Sequence, residues 1–310
     1  MPMSRSDARV IDPVLSNVAL GYRNGRYVGL SLYPTVFVPK SGVSLIKFGK
    51  EAFVKYNMRR APGAKTARVQ YGYATDPVAL VQDSLEGKVP REWMRDTQDV
   101  PLINQETRAV NNVMQSMHLG LEIDIAQIAT NAGNYGADNK ITLTGTDKWT
   151  DGSSKLSVQM DAYKEAVRSK IGIDPNRLIL SPGDFNACKN HPEVKERFKY
   201  TSSESITADM LAAFFDLELV EVGKTVWTPD VDSDLQNCWG SSVLGYVAPE
   251  GERDMDTPSC GYTYVLDNHP LVEEAYFDKS CKSYIYPVEY ERRPYQTGMD
   301  AAFLIQGASS

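Results

Sequence analysis

The chain has 310 residues, of which 42% are hydrophobic and 24% are charged, and its formal net charge is −7 at pH 7. A chain of this length buries roughly three quarters of its unfolded surface and forms one large domain or about two smaller ones. The sequence contains no apolar run of about 18 residues, which argues against a membrane span. Its acidic balance argues against a sequence-specific DNA reader, because phosphate contacts need lysine and arginine.

Residues 1–40 are predicted to form an N-terminal arm. The charged first twelve residues are not followed by an apolar segment, so we expect no secretory signal and a cytosolic product. Pro13, Pro34 and Pro39 favour extended neighbours, and a short helix is expected to begin near Asp12. Because such an arm has little to bury by itself, we expect it to lie on a neighbouring subunit.

Residues 41–90 are predicted to form an extended β-hairpin. The β-rich segments 43–48 and 68–73 flank a polar tip that contains the turn signal Pro62-Gly63. Two strands alone are marginally stable in water. A hairpin of this length therefore needs to pack against another surface to be stable.

The charge of this hairpin differs from that of the rest of the chain. Residues 40–70 contain eight basic residues and one acidic residue, whereas residues 216–256 contain ten acidic and two basic residues. A basic loop and an acidic region in one chain predict complementary contacts between copies. Alternatively, both charged regions are surfaces that face water and contact no other copy. The candidate contact residues are Lys47, Lys50, Lys55, Arg59, Arg60 and Lys65.

The most regular predicted helix follows Pro101. Apolar residues recur at spacings of three and four from Val110 to Ile128, and Asn104 or Thr107 can cap the start. About 25 residues at about 1.5 Å each give a helix of about 38 Å. Its apolar stripe must pack on a broad surface, and we expect that surface to be a sheet.

Alternating strands and helices after Lys140 predict one α/β domain, and the tail returns to β-structure. Gly172 is the expected stop of the first helix. Helices are predicted at 157–171, 182–200 and 207–215, and strands at 140–143, 177–181, 217–222, 242–247, 261–266, 283–290 and 301–306.

The sequence does not predict catalysis, a cofactor or a metal site. It has no phosphate-binding loop, dinucleotide fingerprint, zinc-protease helix or nucleophile elbow. Cys188 and His191 lie one predicted turn apart, but one such pair cannot fill a tetrahedral zinc site. The four cysteines share no close spacing, so buried free thiols are expected. The alternating aspartates 230, 232 and 234 lack the glycine and glutamate that a calcium loop requires.

Several segments resemble the major capsid proteins of tailed bacteriophages. Residues 190–201, NHPEVKERFKYT, resemble a helix that carries the pattern HP-x-hydrophobic-x-ERxKY and precedes a short helix, as at 206–211. Cys260 stands where phenylalanine is frequent in the family. The other resembling segments follow in the family's order, cover nearly the whole chain, and lie at 17–29, 48–53, 174–180, 238–249 and 258–264.

The resemblance implies an α+β fold of the Hong Kong 97 type. The implied parts are an N-terminal arm at 1–40, an extended β-hairpin E-loop at 41–90, a peripheral (P) domain with a long spine helix at 91–148, an α/β axial (A) domain at 149–261, and C-terminal strands at 262–310 that return to the P domain.

The resemblance also implies a function. Copies of the chain would assemble into hexamers and pentamers that close an icosahedral phage head around double-stranded DNA, without sequence-specific binding. The implied partners are other copies, a separate scaffolding protein, a portal and a decoration protein, and the implied location is the virion after assembly in the host cytoplasm. Some relatives crosslink a loop lysine to an asparagine, but the partner residues are not matched here.

Two other functions remain open at this stage. One is an encapsulin-like shell of a bacterial compartment, which shares the fold but packages protein. The other is a cysteine- and histidine-dependent or metal enzyme that uses Cys188 and His191.

Overall fold

The computed structural model describes residues 11–22, 25, 27–47, 59, 74–96, 104–199, 205–252 and 259–309. The helices are α1 (Pro13–Gly21), α2 (Gly29–Leu32), α3 (Arg91–Asp96), α4 (Gln105–Thr130), α5 (Leu156–Ile171), α6 (Pro182–Asn190), α7 (Pro192–Phe198) and α8 (Ala208–Phe215). The strands are β1 (Thr35–Val38), β2 (Gly42–Lys47), β3 (Ala74–Ala79), β4 (Val81–Pro90), β5 (Lys140–Thr142), β6 (Arg177–Leu180), β7 (Leu219–Val222), β8 (Val226–Trp227), β9 (Gln236–Asn237), β10 (Ser242–Gly245), β11 (Tyr262–Leu266), β12 (Leu271–Val272), β13 (Tyr276–Asp278), β14 (Ser283–Tyr295) and β15 (Ala302–Gln306).

The 26-residue helix α4 is the spine of the fold, as the sequence predicted. Its N-terminal amides are capped by Asn104 Oδ1, which accepts from the N–H groups of Glu106 at 3.0 Å and Thr107 at 3.2 Å. The first half of its buried stripe packs in a core with β14, and the second half packs in another core beneath β10 and β15. One helix therefore supports both large sheets.

The first of these sheets has six strands arranged around β14. Strands β4, β11, β12 and β13 all pair antiparallel to β14, and β1 joins through β11. The β4 register runs over ten residue pairs, from Ser283 opposite Pro90 to Arg292 opposite Val81. Residues 81–90, which the sequence assigned to the loop, thus form a strand of this sheet.

The second sheet has five strands in the order β5-β15-β10-β6-β7 and is covered by helices on both faces. Leu178 and Leu180 face the core formed with α5 to α8, whereas Ile179 between them faces α4 and α2. Strand β15 lies inside this sheet between β5 and β10. This position differs from the expected grouping of residues 262–310, because the apolar run of β15 is buried on both faces and fits a central strand.

The predicted ends of several elements are confirmed. Helix α1 begins after Asp12, whose Oδ1 accepts from the N–H groups of Val14 at 2.9 Å and Leu15 at 3.0 Å. Gly172 ends α5 with φ of +72°, a conformation that favours glycine.

The described part of the arm lies on its own chain, contrary to expectation. Leu15 and Ala19 of α1 are buried in the core under α4, and Ser16 Oγ donates to the carbonyl of Val272 at 3.3 Å. Strand β1 pairs with β11 of the six-stranded sheet. The arm thus carries enough apolar surface to be held within the subunit.

The base of the predicted hairpin is present as the antiparallel pair β2 and β3, with Gly42 opposite Ala79 and Lys47 opposite Ala74. The predicted second strand at 68–73 lies outside the described residues. Among the helices that the structure describes, none is long and apolar enough to cross a membrane.

Candidate subunit-contact surfaces

The six predicted contact residues are only partly described. Lys47 is the last residue of β2, at the far end of the hairpin from Gly42, and Arg59 is exposed. Five residue steps of strand at about 3.4 Å each carry Lys47 roughly 17 Å from Gly42 at the hairpin base. Lys50, Lys55, Arg60 and Lys65 lie outside the described residues, so the contact role of all six stays a prediction.

An acidic hairpin formed by β8 and β9, residues 226–237, follows β7 of the five-stranded sheet in the chain. Its turn is held by Thr228 Oγ1, which donates to the carbonyl of Asp230 at 2.6 Å, and by Asp230 Oδ1, which accepts from the N–H of Asp232 at 3.0 Å. At the tip Val231 is 98% exposed and Leu235 is 69% exposed. This hairpin therefore exposes aspartates and apolar side chains on the same short segment.

A buried carboxylate, which the sequence did not predict, joins three parts of the subunit. Glu122 of α4 is 2% exposed and accepts from the N–H groups of Val28 at 3.1 Å and Gly29 at 2.7 Å and from Trp239 Nε1 at 2.7 Å. Burial raises the pKa of Glu122, and these three hydrogen bonds oppose the rise. A Cβ at position 29 would lie 2.7 Å from Glu122 Oε2, so the approach requires glycine.

A second buried charge, Arg292, ties β14 to β4 and α4. Its side chain is 3% exposed, its Nε lies 3.4 Å from Asp83 Oδ2, and its Nη2 donates to the carbonyl of Met117. Desolvation lowers the pKa of Arg292. It also raises the pKa of Asp124, which lines the same cleft of about 560 Å³.

The segment that carries the family resemblance has a packing role. His191 caps α7, because its Nδ1 accepts from the N–H of Glu193 at 3.2 Å. Glu193 in turn caps α5, where it accepts from the N–H of Leu156 at 2.8 Å and from Ser157 Oγ. Val194 of α7 is fully buried in the core that also contains the apolar side chains of α5. The motif therefore locks α7 onto α5.

The same geometry bears on the enzyme alternative. Since His191 Nδ1 accepts a hydrogen bond, the ring proton is assigned to Nε2, which faces Ser154 Oγ at 3.1 Å and the carbonyl of Asp151 at 3.2 Å. A protonated Nε2 cannot take a proton from Ser154. Burial raises the pKa of the Cys188 thiol well above its usual range, which opposes a thiolate nucleophile. Within the described ranges, no group of histidine, cysteine and acidic side chains could hold a metal ion.

Comparison with known proteins defines the class. Residues 128–228 match the family model described as phage major capsid protein E. The major capsid protein of Burkholderia phage BcepMu is 33% identical over 307 residues, which cover 97% of this chain and 98% of that protein. The chain therefore belongs to the phage major capsid proteins, the structural proteins that form the virion shell.

Solved structures agree with this assignment. A phage-related protein from Bordetella bronchiseptica is 43% identical, covers 97% of this chain and 98% of its own, and superimposes with a TM-score of 0.84. The capsid of Cyanophage P-SCSP1u shares 8% identity over 94% of this chain and 90% of its own, with a TM-score of 0.56. The Hong Kong 97-type α+β capsid fold is thereby confirmed.

The encapsulin alternative has less support. The SrpI encapsulin of Synechococcus elongatus is 11% identical, covers 92% of this chain and 88% of its own, and has a TM-score of 0.50. A likeness at this identity shows a shared fold alone. The phage capsid function is therefore favoured.

Proposed function

We propose that this chain assembles into hexamers and pentamers that close an icosahedral phage head around double-stranded DNA. The observation that carries the proposal is the 33% identity to a phage major capsid protein along 97% of the chain. Assembly would take place in the host cytoplasm with a separate scaffolding protein, a portal and a decoration protein. The DNA would be enclosed without sequence-specific binding, in keeping with the net charge of −7.

We further propose that the hairpin that begins with β2 reaches an adjacent subunit. Support comes from its two-stranded base, which is marginally stable in isolation, and from the eight basic residues between 40 and 70. Lys47, Lys50, Lys55, Arg59, Arg60 and Lys65 are the proposed contacts. We also propose the division into N-terminal arm, E-loop, P domain, A domain and C-terminal strands, with two changes. Residues 81–90 go with the six-stranded sheet, and residues 302–306 go with the five-stranded sheet.

The experiment is electron microscopy of the expressed full-length chain, alone and with charge reversal of Arg59→Glu and Arg60→Glu. We expect closed particles from the unmodified chain and loss of particles from the double variant, with unchanged thermal unfolding of the monomer. The matched control is Lys155→Glu with Lys279→Glu, two exposed lysines outside the hairpin. Normal particles from the Arg59 and Arg60 variant would contradict the proposed contact.

Two further measurements address the rival functions. Nuclease-protected DNA inside particles from infected cells supports the phage head, whereas particles filled with protein cargo would support a compartment shell. We propose that the subunit carries out no enzymatic reaction and forms no covalent crosslinks. A denaturing gel should then show the 34.5 kDa monomer without a ladder above it.

A further inference from the structure

A small basic pocket is lined by residues of α6 and α7 and by residues that follow α7 in the chain. Lys189, Lys195 and Lys199 line it, its apolar lining comes from Phe198 and Ile206, and its volume is about 240 Å³. Among the described residues that line it, none carries a carboxylate. Neither Lys189 nor Lys195 forms an ion pair within the described part of the chain. The pocket thus combines positive charge with apolar surface.

The acidic hairpin 226–237 has the complementary composition. It carries Asp230, Asp232 and Asp234 without a basic residue, and Val231 and Leu235 expose their apolar side chains beside them. Within the described ranges, none of the three aspartates pairs with a cation. A valine that is 98% exposed has no packing role inside one subunit.

We infer that the acidic hairpin of one copy docks into the lysine pocket of a second copy. The charges attract, and Val231 or Leu235 can cover Phe198 and Ile206 as the salt bridges form. The two surfaces are different patches of one chain, which is the arrangement that a head-to-tail contact needs to close a ring. Individual exposed salt bridges are weak, but a ring repeats the contact in every subunit, so the combined effect is large.

This inference rests on the proposed self-assembly and concerns a different surface from the basic hairpin of residues 40–70. The charge of the pocket is reversed in the double variant Lys189→Glu with Lys195→Glu. The charge of the acidic hairpin is reversed in the double variant Asp232→Lys with Asp234→Lys. This variant keeps Asp230, whose carboxylate holds the turn. The matched control is again Lys155→Glu with Lys279→Glu.

We expect each reversal alone to raise the protein concentration for half-maximal assembly roughly tenfold, as measured by light scattering and electron microscopy. The variant that combines both reversals restores the attraction with exchanged signs, and its assembly should return toward that of the unmodified chain. The control should assemble normally. Unchanged assembly of both single reversals, or a combined variant no better than either, would overturn the inference.

Disulfide trapping gives a readout that does not depend on loss of assembly. Ser205 lines the pocket and is exposed, so Ser205→Cys with Val231→Cys should link neighbouring copies in a ladder on a non-reducing gel. Each single cysteine variant should run as the monomer. Particles without a ladder refute the docking contact, whereas absence of particles from the unmodified chain refutes the proposed function itself.

Discussion

Replacement of Glu122 by alanine tests the joint between the arm, the spine helix and the five-stranded sheet. The change leaves three buried donors without an acceptor, the N–H groups of Val28 and Gly29 and Trp239 Nε1. Each unsatisfied buried donor costs about 1–3 kcal/mol. Partial relaxation and solvent entry reduce the sum, and we expect a loss of about 3–5 kcal/mol in the free energy of unfolding, the range for breaking a buried charged contact.

The assay is chemical denaturation of the unassembled chain, followed by circular dichroism. Glu122→Gln keeps the shape and one acceptor oxygen but turns an amide toward a donor, so we expect a smaller loss of about 1–3 kcal/mol. The control is Glu196→Ala, because Glu196 is an exposed glutamate on α7. If Glu122→Ala lies within about 0.5 kcal/mol of the control, the joint contributes nothing and the reasoning is wrong.

Three further predictions concern other conditions and positions. Burial raises the pKa of Glu122 in the folded state above its ordinary value of 4.5, so the native state binds this proton more readily than the unfolded state does. The unmodified chain should therefore gain stability relative to Glu122→Gln as the pH falls from neutrality toward 4.5. Chemical denaturation at a series of pH values measures this difference. A Cβ on Gly261 would lie 2.0 Å from a ring carbon of the buried Tyr33, so Gly261→Ala should lower the unfolding free energy by about 1–3 kcal/mol or more, whereas Gly240→Ala, where the added carbon meets open space, is the control. Arg292→Met should remove the hydrogen bond to the Met117 carbonyl and the ion pair with Asp83. Thermal unfolding should show that the stability lost in the double variant of Arg292→Met and Asp83→Asn differs from the sum of the losses in the two single variants.

Local sequence patterns located α1, α4, α5 and α8. They merged α6 and α7 into one helix at 182–200 and did not predict α2 or α3. The apolar repeat of α4 extends over 26 residues and begins at a capping asparagine, so its limits could be predicted to within one or two positions. Gly172 similarly marks the end of α5, because the residue after the last turn adopts a left-handed conformation.

Strand partners could not be predicted in the same way, because pairing depends on residues far apart in the chain. Strand β4 pairs with β14 about two hundred positions later, and β15 enters a sheet whose other strands lie between 140 and 245. Glu122 was missed for the same reason. Its donors lie 93, 94 and 117 positions away, and a single glutamate beside an apolar stripe carries no local sign of being buried.

Under the inferred docking contact, Glu122 and the resembling motif would both fix the relative positions of the two docking surfaces. Glu122 joins α2, α4 and the loop that carries Trp239, and His191 with Glu193 holds α7 on α5. Helix α7 bears the lysine pocket, and the hairpin 226–237 lies between β7 and Trp239. Loosening either joint would shift one docking surface against the other, so Glu122→Gln should weaken assembly even at pH and temperature where the subunit remains folded.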